Sequence, residues 1–262
     1  MAEALADKAL LKNWAELKFR GIFEVEERKT VFISGCSRGI GKTTAELFAQ
    51  RGWNVIAHAR QYTKEFEEFV CHLADENGVT VMPVYFDMKD EVAMKEQIQT
   101  VISKRKISVN ALVNNAGICE IKLFLMTSLS AIRETFDINL FSHMRLTQLL
   151  LKRMPEGSSI VNVASIDGLK PQRGETAYAA SKAAMLAWTE VLRLELLGRI
   201  RVNAVAPQAV STDLAYSIKK QTEWKESTLI EPCDIAKSIY FLSSEEASEI
   251  TGEVLKITGK LI

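Results

Sequence analysis

The chain has 262 residues, 47% of them hydrophobic and 25% charged, with 33 basic and 33 acidic side chains. That is the balance of a globular protein with a sizeable core, and a formal net charge of zero argues against a nucleic-acid or anionic-membrane surface. Four scattered cysteines without a CxxC pair, and only three histidines, argue against a zinc site or a disulfide framework. No apolar run approaches the ~18 residues that span a bilayer, and Glu3, Asp7 and Glu16 interrupt any signal-peptide core. The expectation is a protein without metal, without membrane or nucleic-acid partners, in the reducing cytoplasm.

Residues 1–28 form a separate N-terminal extension. Leu5, Leu10, Leu11, Trp14, Leu17 and Phe19 recur at helical spacing among charged residues, which predicts an amphipathic helix. It serves either for docking or oligomerisation, or as a leader packed on its own domain.

Thr30 to Ser34 is a β-branched and aromatic run, hence a buried strand. It leads into Gly35-Cys36-Ser37-Arg38-Gly39-Ile40-Gly41 and then a helix over Thr43 to Arg51. Strand, glycine turn and helix together form a phosphate-binding arrangement. Glycines let the backbone approach a pyrophosphate, and a helix N-terminus offers free N–H groups and a positive dipole end. The second strand, Trp53 to His58, is followed by Arg60. In dinucleotide-binding folds this strand end faces the adenosine ribose, where an acidic residue would bind the 2′-hydroxyl. Here Arg60 and Arg38 point to a 2′-phosphate, so the pattern predicts NADP(H) rather than NAD(H).

Further along, a helix (Thr63 to Glu76), a strand (Val79 to Phe86, interrupted by Pro83), a helix (Asp90 to Arg105) and a strand (Val109 to Val113) alternate. Asp87 and Met88 close the third strand, where Asp87 is placed to accept from an adenine amino group. Asn114-Asn115-Ala116-Gly117 follows the fourth. A long helix over Ser130 to Met154 carries Asn139. A strand over Ser159 to Ala164 ends at Ser165, where open α/β sheets hold their ligands. The next helix begins near Tyr178, and Lys182 lies one turn on, so both side chains share a face. A lysine ammonium beside a phenol favours the phenolate, which predicts a Tyr178 pKa below the ordinary ~10. Arg201 to Ala206 is the sixth strand, ending at Pro207. Ser211 to Pro232, which includes Thr212, is polar and irregular like a lid. A helix over Asp234 to Leu242 and a strand over Glu253 to Thr258 complete the chain. No repeat or linker interrupts 29–262, so one α/β domain is expected, with a parallel sheet and helices on both faces.

The ordered set Ser34-Gly35-(x)3-Gly39-Ile40-Gly41, Asn114-Asn115-Ala116-Gly117, Asn139, Ser165, Tyr178-(x)3-Lys182 and Val202-Asn203-Ala204-Val205-Ala206-Pro207 resembles the classical short-chain dehydrogenase/reductase family from about Thr30 onward. Within it, the stretch Phe241 to Glu253 and the basic Arg145 resemble the 3-oxoacyl-carrier-protein reductase branch. That ending is shared with sugar and polyol dehydrogenases and steroid reductases.

The resemblance implies a doubly wound Rossmann-type domain with a seven-stranded parallel sheet, NADP(H) as cofactor, and a carbonyl or secondary-alcohol substrate, carrier-bound acyl included. Tyr178 would act as acid and base, Lys182 would lower the phenol pKa and hold the nicotinamide ribose, Ser165 would bond the substrate oxygen, and Asn139 would anchor a water. Gly35, Ser37, Arg38, Gly39, Ile40, Gly41, Arg60, Asp87, Met88, Asn115, Ala116, Gly117, Tyr178, Lys182, Pro207 and Thr212 would contact the cofactor. The helices carrying Asn139 and Tyr178 would pair in a homodimer or homotetramer.

The chain departs from the family pattern at Gln208, where a glycine is usual beside the nicotinamide, and at Thr258-Gly259-Lys260. Asp167 reads either as a turn residue or as a binder of a substrate hydroxyl or amine. Asp167 and Gln208 would suit a sugar or polyol dehydrogenase, whereas Leu214, Ala215, Tyr216 and Ile218 would suit an acyl chain. A catalytically weak NADP(H)-sensing protein is the alternative of another class, and the intact Ser165, Asn139, Tyr178 and Lys182 speak against it.

Overall fold

The computed structural model describes residues 28–214 and 229–259. The expected N-terminal helix, most of the expected lid and Lys260 lie outside the described residues. Seven strands are found: β1 (Thr30–Ile33), β2 (Asn54–Ala59), β3 (Val81–Tyr85), β4 (Ala111–Asn114), β5 (Ser158–Val163), β6 (Ile200–Pro207) and β7 (Val254–Ile257). They pair in parallel in the order β3-β2-β1-β4-β5-β6-β7. The helices are α1 (Gly39–Gln50), α2 (Lys64–Asn77), α3 (Glu91–Ile98), α4 (Leu129–Phe136), α5 (Ser142–Leu150), α6 (Thr176–Glu195) and α7 (Pro232–Ser243). This is the doubly wound Rossmann-type sheet expected from the sequence.

Every residue of β1 is buried, because successive side chains point to opposite faces and helices cover both. Val31 and Ile33 join a layer with Phe48 of α1 and Ile235 and Ile239 of α7. Phe32 joins the opposite layer, with Met94 and Ile98 of α3 and Leu146 and Leu150 of α5. Pro83 pairs opposite Ala57 and is tolerated because β3 is the edge of the sheet, where a missing N–H removes no second ladder bond.

Local chemistry fixes the helix ends. The Thr63 hydroxyl accepts the Phe66 amide at the start of α2, Gly78 closes that helix in the left-handed conformation, and Asp90 accepts the amides of Val92 and Ala93 ahead of α3. The single helix expected over Ser130 to Met154 is interrupted. Between α4 and α5, Asp137–Phe141 form a π-helical turn that buries Asn139 and Leu140. An extra residue per turn gives no hydrophobic signature, so periodicity reads straight through it.

A row of polar groups ties the middle of the sheet to its helices. Asn114 Nδ2 donates to Asn162 Oδ1 at 2.8 Å and to Thr147 Oγ1 at 3.2 Å, and Asn162 Nδ2 donates to Thr189 Oγ1 at 2.8 Å. These buried bonds join β4 and β5 to α5 and α6, and so set the end of β5 against the start of α6.

Candidate active site

The strand order reverses between β1 and β4, and a crevice opens there beyond the carboxyl ends of the strands. It forms a cleft of about 500 Å³ running from Arg38 and Arg60 at one end to Asp167 and Glu175 at the other.

The first end is built on the glycine turn. A Cβ on Gly41 would lie 2.1 Å from Gly35 O and 2.5 Å from Asn115 Nδ2, so only glycine lets α1 start against the turn. Ser34 Oγ accepts the amides of Asn115 (2.9 Å) and Ala116 (3.0 Å), while Asn115 Nδ2 donates to Ser34 O at 2.8 Å. The Asn115 side chain therefore holds the turn from beneath. His58, which the sequence reading passed over, completes the brace: Gly35 N donates to its Nδ1 at 3.1 Å, which makes Nε2 the donor to Phe86 O at 2.9 Å. Burial lowers the His58 pKa to about 4, so it works as a neutral imidazole. The N-terminus of α1 has no side-chain cap and no acidic residue in its first turn. Its N–H groups and dipole are thus left for an anion, and the cradle fits the pyrophosphate of a dinucleotide. Arg38 and Arg60 are both exposed at the cleft. Arg38 also faces Asp213, at 3.8 Å. Asp87 Oδ1 accepts the Lys89 amide at 2.9 Å.

Ser165, Tyr178 and Lys182 line the other end together. Ser165 follows β5, and its hydroxyl donates to Asp167 Oδ2 at 2.9 Å. Tyr178 and Lys182 lie on the first turns of α6, with the Lys182 Nζ 5.8 Å from the phenol ring centroid. Lys182 is 4% exposed and donates to Val163 O at 2.8 Å; burial lowers its pKa to about 8. The expected depression of the Tyr178 pKa is not what this geometry gives. Burial pushes the phenol well above its ordinary value, Cys119, Asp167 and Glu175 add to the rise, and the nearby Ser165 hydroxyl opposes it. Lys182 is directed at a backbone carbonyl rather than at the phenol oxygen, so desolvation wins.

Asn139 lies behind the cleft wall. Its Nδ2 donates to Ile118 O (2.9 Å) and Ser181 Oγ (3.1 Å), and its Oδ1 accepts the Ile118 amide (2.9 Å). This clamp holds the segment after β4 beside Lys182. A Cβ on Gly117 would come within 3.3 Å of Asn139 Oδ1 and 3.6 Å of Lys182 Nζ.

Of the residues expected to be catalytic or to contact the cofactor, all but Gly41 and Asn139 line the cleft, and those two act from the layer beneath. Gln208 lines it as well, with an exposed side chain and its amide bonded to Ile257 O at 2.9 Å. Cys119 and Glu175 also line it and were not anticipated. Glu175 lies three residues before Tyr178, but spacing alone carries no sign of burial. Among the described residues no group of histidine, cysteine, aspartate or glutamate is arranged to hold a metal. No helix there is long and apolar enough to cross a membrane.

Comparison with known proteins agrees with this architecture. The short chain dehydrogenase family model matches residues 29–223. A 3-oxoacyl-(acyl-carrier-protein) reductase of Thermotoga maritima is 34% identical over 245 residues, covering 90% of this chain and 98% of its own. Carbonyl reductase family member 4 of Xenopus laevis is 33% identical over 242 residues, covering 89% and 98%. Among solved structures, a short chain dehydrogenase from Burkholderia cenocepacia in complex with NADP superposes with a TM-score of 0.79 at 27% identity, covering 88% of this chain and 96% of that one. An actinorhodin polyketide ketoreductase with NADPH has a TM-score of 0.81 at 23% identity, covering 90% and 98%, a likeness of fold. With a family model matched over most of the chain and relatives aligned along nearly their whole length, the protein belongs to the short-chain dehydrogenase/reductase family of oxidoreductases.

Proposed function

We propose that the protein is an NADP(H)-dependent ketoreductase that interconverts a carbonyl and a secondary alcohol, with Tyr178 as the proton donor and acceptor. The observation that carries this reading is the meeting of Ser165, Tyr178 and Lys182 on one wall of a cleft whose other end is a glycine turn and an uncapped helix N-terminus. The nicotinamide, when bound, supplies or accepts the hydride. The α1 N-terminus and the glycine turn would hold the pyrophosphate, and Arg38 and Arg60 the 2′-phosphate. The NADP and NADPH in the two superposed structures support that choice.

The chain's own groups account for the proton. A phenol held above its ordinary pKa stays protonated at neutral pH, which suits it to donate when negative charge develops on the substrate oxygen. An alkoxide is far more basic than even a raised phenolate, so the transfer remains downhill. The Ser165 hydroxyl turns from Asp167 to the same oxygen and orients it. Lys182, held by Val163 O beside the phenol ring, would hold the nicotinamide ribose, and Asn139 positions the Ile118 segment around it.

The reductase relatives support a reductive direction and a 3-oxoacyl-type substrate. A sugar or polyol dehydrogenase is the second reading, favoured by the polar mouth formed by Asp167, Gln172 and Glu175. Exposed Leu129 and Phe141, near Asn139, and Val191 and Leu194 on α6 support pairing of these helices in a homodimer or homotetramer. The free cysteines suit a cytoplasmic setting. The experiment is a screen of NADPH oxidation against 3-oxoacyl thioesters, keto sugars and simple ketones. Turnover of at least one class is expected; activity with none of them would reject the ketoreductase reading.

A further inference from the structure

The wall beside Tyr178 contains a carboxyl group that no side chain among the described residues answers. Glu175 stands at the N-terminal boundary of α6 and is only 3% exposed. The positive end of the helix dipole favours a negative charge here, but Glu175 makes no capping bond. Its Oε2 has no hydrogen-bond partner, and the residue lines the cleft.

A second carboxylate adjoins it. Asp167 is satisfied, accepting Gln172 Nε2 at 3.1 Å and Ser165 Oγ at 2.9 Å. Burial first, and the Asp167 charge second, raise the Glu175 pKa to about 7, and only the Gln172 backbone favours the ionised form. Burial and the same two acids raise the Cys119 thiol to about 12. Among the described residues neither Asp167 nor Glu175 belongs to an ion pair, and the nearby ammonium of Lys182 is engaged with Val163 O. Among the described residues, Lys182 is thus the one cation lining the substrate end, and it is directed at a backbone carbonyl rather than at the two acids. A buried acceptor of this kind is costly to leave unpaired.

We infer that Glu175 selects the substrate, and that the preferred substrate is a carbonyl compound or matching alcohol carrying a protonated amine close to the reacting carbon. This rests on the carbonyl–alcohol reading of the same site. An ammonium group would satisfy the orphan oxygen and also offset the repulsion between the two carboxylates. A hydroxyl would do only the first, and an anionic substrate would be repelled.

The test uses two alcohols of the same shape, N-methyl-4-piperidinol, which is cationic at neutral pH, and 4-methylcyclohexanol, which is not. Their binding to the full chain with NADP is followed by ligand-observed NMR titration. The amine is expected to bind at least about tenfold more tightly, roughly one pKa unit's worth of interaction. Glu175→Gln should abolish that preference and Glu175→Asp should keep part of it, with 4-methylcyclohexanol shifting much less than the amine in both. For the corresponding ketones the Glu175→Gln effect should fall on KM rather than kcat. Equal affinity of the wild-type protein for the two alcohols would overturn the inference, and needs no variant to fold. A preference that survives Glu175→Gln would overturn it equally. Binding is read without turnover, so failure of the ketoreductase reading, no ketone being reduced, is seen separately.

Discussion

The two ends of the cleft are made of different materials. At the glycine turn the polar groups that shape the cradle are paired and neutral: Ser34 with Asn115 and Ala116, and His58 between Gly35 and Phe86. At the substrate end the groups are titratable and buried: Glu175 and Lys182 have pKa values of about 7 and about 8, and the Tyr178 phenol is pushed up. The first end is shaped to take an anion, with backbone amides in fixed positions. The second holds charges in a medium where each interaction is strong, which is what proton transfer to a bound substrate requires. Rigidity and electrostatic imbalance are thus separated along a single cleft, and each can be attacked on its own.

The largest effect on cofactor binding is expected where shape alone decides. Gly41→Ala places a methyl group 2.1 Å from Gly35 O, so either the turn or α1 must move. Affinity for NADPH, read by fluorescence titration, should fall by about 100-fold or more, with a stability loss of about 3 kcal/mol in denaturant melts. Unchanged binding would show that the turn is softer than its packing suggests.

The neutral histidines come next. Besides His58, the fold buries His143 of α5, whose Nε2 bonds Ala116 O at 2.7 Å; burial lowers the two pKa values to about 4 and about 3, against an ordinary 6.5. A depressed pKa means that the unfolded chain binds the proton first. Their contribution to stability is therefore fully present above pH ~6.5 and is lost as pH falls toward the folded values. Near pH 5 two protons are taken up on unfolding, a slope of about 2.7 kcal/mol per pH unit from this pair. His143→Gln, which can still donate to Ala116 O, should halve that part of the slope. An identical slope would remove His143 from the account.

The smallest effect belongs to the exposed arginines. Replacing Arg38 and Arg60 together by Gln should weaken NADPH by about 10- to 100-fold and NADH by little. Equal losses for both cofactors would show that neither guanidinium reads the 2′-phosphate.

Much of the rigid end was legible from the sequence, because it is written in local terms: a β-branched strand, three glycines in seven residues and the start of a helix. The Tyr178–Lys182 pair was legible for the same reason, its spacing being one helical turn. The condition of that pair was not. Whether a phenol lies nearer to a lysine or to two carboxylates, and how much water reaches it, depends on β5, α6 and the segment after β4 coming together. For this reason the predicted depression of the Tyr178 pKa gave way to a rise. His58 reads only as the last residue of a strand, and nothing local in the sequence singles out Glu175. The π-helical turn at Asn139 is invisible to hydrophobic periodicity, although the asparagine itself was picked out.

The central claim is that Tyr178 transfers the proton while the glycine-turn end binds the cofactor independently. Tyr178→Phe tests it most directly, with turnover of the best ketone from the screen and the dissociation constant for NADPH measured on the same preparation. Turnover should fall by about 1,000-fold with NADPH affinity within about twofold of wild type, since no capping or glycine-turn bond passes through the phenol. A variant that keeps a substantial part of its turnover, or that loses cofactor affinity in step with it, would contradict the assignment.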